Sequence, residues 1–200
     1  MLDLARLFPE AKMFDSRRSW RKRGFEIVND DDEREIMVAA HPGAPGLLFK
    51  KFTNKVKASD QLANYRLRAE GAAELRKFIA AERLKRVIVP QKWVRELPAV
   101  RKTHVLVVER VDVLTRRETR KAYPNLDGAT LRELCVVVRE FRGLDSGARN
   151  MLLTRSGQIA FVDTERWKRE TDRAYLRHVE DYLTKDQRAL AKKIFKQLDA

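Results

Sequence analysis

The chain has 200 residues, 44% of them apolar, which is enough to bury a sizeable core in one medium domain or in two small lobes. Charged residues make up 36%, and 43 Lys and Arg against 29 Asp and Glu leave a formal charge of +14, which favours an anionic partner without naming one. A single cysteine excludes an internal disulfide, and no apolar run reaches the roughly 18 residues of a membrane span, so a soluble protein of a reducing compartment is expected.

Residues 1–24 read as a basic N-terminal extension carrying RRSWRKR at 17–23, and the other basic residues are scattered. A short charge block of this kind is ordinarily a solvated face. No zinc-finger, RNP or basic-zipper pattern accompanies it, so nucleic acid is disfavoured as the partner. FEIVN (25–29) and EIMVAA (35–40) read as two strands joined by the acidic turn NDDDER, and GLLFKKF (46–52) as a third. From Ser59 to Arg83 apolar residues recur near helical spacing at Leu62, Tyr65, Ala69, Ala72, Leu75 and Ile79, with Ser59 as N-cap. RVIVP (86–90) and HVLVVERV (104–111) give two more strands, completing a five-stranded lobe over residues 25–111. The polar stretch 115–128 reads as a linker or short helix.

ATLRELCVVVREF (129–141) is helical by period, with Leu131, Leu134, Cys135 and Val138 on one face and Cys135 as a packed core residue. MLL and QIAFV read as a β-hairpin turning at Ser156-Gly157, and residues 171–198 as one or two amphipathic helices, so that a second lobe covers 112–200.

Asp145, Asn150 and Asp163 flank that hairpin although Asp and Asn are poor strand formers, so their presence calls for another reason. Phosphoryl transfer from a nucleotide requires such groups: a lysine on the phosphates, a carboxylate holding that lysine, metal ligands, and an aspartate that receives the acceptor's proton. LLFKKF offers Lys50 and Lys51, which alternation sends to opposite faces without choosing between them. The helix offers Glu70 and Glu74, which sit four apart on one face, so spacing leaves that choice open too. Asp145 and Asn150 have the interval of a protein-kinase catalytic loop, and Asp163 follows a strand as the metal-binding aspartate does there.

With Lys50, the VLVVERV strand, GARNMLL and the strand-Asp in this order, residues 25 to 182 resemble the protein-kinase-like superfamily, and within it the minimal bacterial effector kinases. The resemblance implies an α+β, two-lobed protein-kinase-like fold, with a five-stranded antiparallel N-lobe bearing one long helix and a reduced, mainly helical C-lobe. It implies ATP and Mg²⁺, with Asp145 as catalytic aspartate, Asn150 and Asp163 as metal ligands, and Lys50 on the phosphates held by Glu74 or Glu70. Val108 would be the gatekeeper, and Glu109 to Val111 would lie beside the adenine. It also implies a protein substrate of a host cell, Ser or Thr rather than Tyr, and a monomer made in the bacterial cytoplasm and delivered to the host cytoplasm. The net charge suits an activating host partner with an acidic surface.

The pattern is incomplete. NDDDER replaces the glycine-rich loop, Gly143 stands where His usually precedes the catalytic Asp, Gly147 replaces the catalytic-loop lysine, and DFG becomes Asp163-Thr164-Glu165 with no APE after it. Two alternatives follow: a catalytically impaired, kinase-shaped binding module, or a small-molecule or sugar phosphotransferase.

Overall fold

The computed structural model describes residues 3–9, 16–28, 36–52, 57–97, 103–145, 147, 149–165 and 180–200. The chain divides into two compact units, Met1–Ala69 with Gln91–Arg110, and Glu70–Pro90 with Val111–Ala200. The NDDDER turn (29–34) and residues 171–179 of the terminal helical segment lie outside the described residues.

The first unit is built on a sheet of β1 (Glu26–Ile27), β2 (Ile36–Ala40), β3 (Leu47–Phe52), β5 (Lys92–Glu96) and β6 (His104–Glu109), in the order β1-β2-β3-β6-β5 and antiparallel throughout. One face carries Met37, Ala39, Phe49, Val105 and Val107 and is covered by Phe8, Trp20 and Phe25. Leu7, Phe8 and Trp20, which lie within the expected extension, thus contribute to the core. Helix α1 (Leu4–Leu7) leads to Phe8, and α2 (Arg17–Lys22), N-capped by Ser16, buries Trp20 completely. Leu48, Phe52, Leu106 and Val108 occupy the other face, with Tyr65 packed on them. Tyr65 belongs to α3 (Ala58–Ala81), and its hydroxyl accepts the Phe52 N–H at 2.7 Å.

Ser59 is not the cap of this helix. It sits inside the first turn and its hydroxyl bonds the Asp60 carboxylate at 3.2 Å.

In the second unit β4 (Val87–Ile88), β7 (Met151–Leu153) and β8 (Ile159–Phe161) form a small sheet in the order β4-β8-β7. RVIVP was expected in the five-stranded sheet, but its strand pairs in parallel with β8 instead, Val87 opposite Ile159. The strand that completes the larger sheet is the polar-looking KWVRE of β5. The stretch expected as linker or short helix contains α4 (Arg116–Ala122), fixed by a capping box between Thr115 and Glu118, followed by a 3₁₀ turn. Helix α5 (Gly128–Glu140), N-capped by Asp127, buries Leu131, Leu134, Cys135 and Val138 as its period predicts. Burial pushes the Cys135 thiol up to about 12.

Helix α6 (Lys185–Leu198) packs Ala191 and Ile194 into the core of this unit and is fastened to it by Gln187. The Gln187 amide nitrogen donates to the carbonyls of Tyr123, Pro124 and Leu126 at 3.1, 3.2 and 3.0 Å, while its oxygen accepts the Thr184 N–H at 2.8 Å. Leucine at 187 fills similar volume but leaves those carbonyls without their donor. Gln187→Leu is therefore expected to cost about 1–3 kcal/mol, measured as a lower urea midpoint with unchanged m-value.

Candidate active site

The hairpin sets the geometry. Gly157 takes φ +85°, a left-handed conformation that suits glycine, and the turn is tightened by Thr154, whose hydroxyl accepts the Gln158 N–H at 2.9 Å. This fixes Met151 opposite Phe161 and Leu153 opposite Ile159. Pairing continues one step beyond the strands, where the Val162 N–H donates to the Asn150 carbonyl at 2.8 Å. Asn150 therefore stands opposite the residue that precedes Asp163, and both lie at the end of the hairpin away from its turn.

The loop from α5 returns Asp145 to the same end. The Asn150 side chain is buried, and its amide nitrogen donates to the Asp145 carbonyl at 3.4 Å. Asp145 is half-buried, with Oδ1 accepting the Gly147 N–H at 3.0 Å and Oδ2 3.0 Å from the Arg149 guanidinium. A Cβ at 147 would stand 3.1 Å from Asp145 Oδ1, tighter than ordinary contact. Glycine in place of the expected lysine thus lets the loop fold back on its own aspartate, and Arg149 supplies a positive charge there. Neither Ser146 nor Ala148 is among the described residues.

Asp163 is half-buried, and its Oδ1 accepts the Glu165 N–H at 3.3 Å. Asn150 and Asp163 offer one amide oxygen and one carboxylate, hard donors that fit Mg²⁺, an ion that takes one or two protein carboxylates and keeps several waters. No group of three or more His, Cys, Asp or Glu placed to hold a metal occurs among the described residues.

The remaining candidates belong to other surroundings. Lys50 lies opposite Val38 and Leu106, in the row of Leu48 and Phe52. Lys51, opposite Met37, is buried, and its ammonium donates to the Gln61 side chain near the start of α3. Burial pulls the Lys51 ammonium down to about 8. The buried stripe of α3 runs through Gln61, Tyr65, Arg68, Ala72 and Leu75, whereas Glu70 and Glu74 fall outside it, both exposed. The helix residue brought to a β3 lysine is thus Gln61, which the sequence reading missed. Val108 is buried opposite Leu48 and Lys92. Glu109 bonds Gln91 twice, through its own N–H at 2.8 Å and through its carboxylate at 2.9 Å, while Val111 is half-buried.

No protein-family model matches the chain, and neither does any curated protein. Among solved structures it is similar to the crystal structure of the Mycobacterium tuberculosis PknI kinase domain, at 18% identity and a TM-score of 0.41. A cysteine-to-alanine variant of that domain gives 17% and 0.42. Each match covers 72% of this chain and 60% of that chain, so the chain spans about 60% of the length of those kinase-domain structures. At this identity and TM-score, the site chemistry of those kinases does not carry over to this chain.

Proposed function

We propose that the chain is a protein-kinase-like phosphotransferase that moves phosphate from ATP to a protein hydroxyl with Mg²⁺. The observation that carries this is the hairpin register, which brings Asn150 and Asp163 to the end where the Asp145 carbonyl meets the Asn150 amide. Asp145 orients the acceptor hydroxyl and takes its proton, and Asn150 and Asp163 hold the metal. When bound, Mg²⁺ neutralises charge on the β- and γ-phosphates. Lys50 contacts the phosphates, and Arg149 adds the positive charge that Gly147 does not. On the resemblance of the motifs, Glu109 to Val111 and Val108 would be the residues beside the adenine. A host-cell protein as substrate, transfer to Ser or Thr rather than Tyr, and secretion as a bacterial effector rest on the resemblance of the motifs.

Purified protein incubated with labelled ATP, Mg²⁺ and host-cell extract is expected to label a protein band, and a chelator is expected to abolish that labelling. Labelling that is absent from the extract, or equal with and without chelator, sinks the proposal.

A second reading, a kinase-shaped binding module, is favoured by one observation: both Asp145 carboxylate oxygens are already engaged, by Arg149 and by the Gly147 N–H. It predicts that ATP with Mg²⁺ leaves the melting temperature unchanged, whereas a ligand that binds only the folded protein raises it.

A further inference from the structure

Helix α6 has two unlike faces. Gln187, Ala191 and Ile194 are buried in the second unit. Lys185, Lys192 and Lys196 are spaced seven and four residues apart, so they fall within about 40° of one another on the opposite side, in a row about 16 Å long. All three are exposed, as are Ala189 on the same side and Lys193 beside it. None of the four lysines has an ion pair among the described residues. The neighbouring charges lie off the row. Arg188 is half-buried and donates to the Glu180 carbonyl at 3.1 Å, and Asp199 pairs with Arg139 at 2.9 Å. Asp186 falls about 100° around the helix from the centre of the row.

The composition of the row decides what it fits. It holds no aromatic or arginine anchor of the kind on which protein interfaces depend, and lysine is depleted in such interfaces. It also holds no guanidinium fork or side-chain amide that could grip a phosphate or a base edge at two points. Lysine ammoniums are point charges on flexible stems, and a straight row of them with only Ala189 between suits a flat, diffusely anionic surface. The helix packs Ala191 and Ile194 in the core rather than keeping them for insertion into a bilayer, so the attraction is electrostatic and reversed by salt.

We infer that the outer face of α6 is a docking surface for a bilayer leaflet rich in anionic lipid, with Lys185, Lys192 and Lys196 as the contact row and Lys193 at its edge. The inference does not rest on the proposed phosphotransferase activity.

Co-sedimentation of the full chain with vesicles tests this. Wild-type protein is expected to sediment with vesicles of equal parts phosphatidylcholine and phosphatidylserine, and to stay in solution with phosphatidylcholine alone or at high salt. A lysine near such a surface contributes roughly fivefold in affinity, so Lys192→Gln is expected to weaken binding about fivefold and the triple variant Lys185→Gln, Lys192→Gln, Lys196→Gln about 100-fold. Glutamine keeps helix propensity at these exposed positions, so the melting temperature is expected to stay as in the wild type. The control removes the same charge from the exposed side of α2 by Arg18→Gln, Arg21→Gln and Lys22→Gln, and is expected to leave binding within about threefold.

An α2 triple variant that loses as much affinity as the α6 triple variant overturns the inference, because net charge rather than this face then governs binding. So does wild-type protein that fails to sediment with the anionic vesicles, or that binds duplex DNA or polyglutamate more tightly than it binds them.

Discussion

Asp163→Ala is expected to lower Mg²⁺-dependent phosphoryl transfer by about 10²-fold or more, with the protein still folded. Asp163 follows β8 directly, and in the proposed site it is the one carboxylate of the metal pair, Asn150 being neutral. Removing it leaves the ion a single uncharged protein ligand, too little to compete with water for a cation that dehydrates reluctantly. Alanine also removes the acceptor of the Glu165 N–H, a 3.3 Å bond within a turn. Asp163→Asn separates the two effects, since it keeps an oxygen for that N–H and loses only the charge. Both variants are therefore expected to lose activity alike, with the Mg²⁺ requirement shifted to higher concentration in the asparagine form. Wild-type turnover in Asp163→Asn would show that the charge at 163 is not used by the reaction.

The hairpin was legible in the sequence where local spacing fixes geometry. With glycine at the left-handed turn position, pairing of MLL with QIAFV sets Asn150 opposite Val162, the residue before Asp163. The contact of Gln61 with Lys51 was harder to see, because Glu70 and Glu74 attract attention by their charge alone. The phase of α3 was nevertheless available: Tyr65, Ala72 and Leu75 define its buried stripe, and Gln61 lies on that stripe four residues before Tyr65. Arg149 was overlooked because the expected cation was sought at 147, where a Cβ would crowd Asp145.

Sheet membership was less legible than strand position. RVIVP is apolar enough to be a strand in any sheet, and nothing in its own pattern says that Val87 pairs with Ile159, more than seventy residues away in the sequence. The opposite error hid β5, because Lys-Trp-Val-Arg-Glu looks like a surface segment although Lys92 is buried opposite Val108. Helix α4 did carry its signal, the Thr-x-x-Glu capping box at 115–118, inside a stretch whose charges suggested a linker.

Charge hid the N-terminal core in the same way, and this leads to the largest expected stability effect. Trp20→Ala is expected to cost about 3–5 kcal/mol, a large share of the roughly 5–15 kcal/mol that holds a typical domain folded. Trp20 is fully buried, 5.6 Å from Phe8 and 4.8 Å from Phe25, both in edge-on geometry, and Phe8 and Phe25 in turn meet Phe49 of β3. The same six-residue helix turns Arg18, Arg21 and Lys22 to solvent, so one short segment is basic outside and aromatic inside. Arg21→Ala, on that outer face, is expected to change stability by no more than about 0.5 kcal/mol. Urea unfolding of the two variants makes the comparison. A Trp20→Ala midpoint close to that of Arg21→Ala would mean that residues 1–24 are appended to the first unit. A wide gap between them would mean that the sheet relies on this segment to cover its apolar face, because Met37, Ala39 and Phe49 have Phe8, Trp20 and Phe25 as their cover.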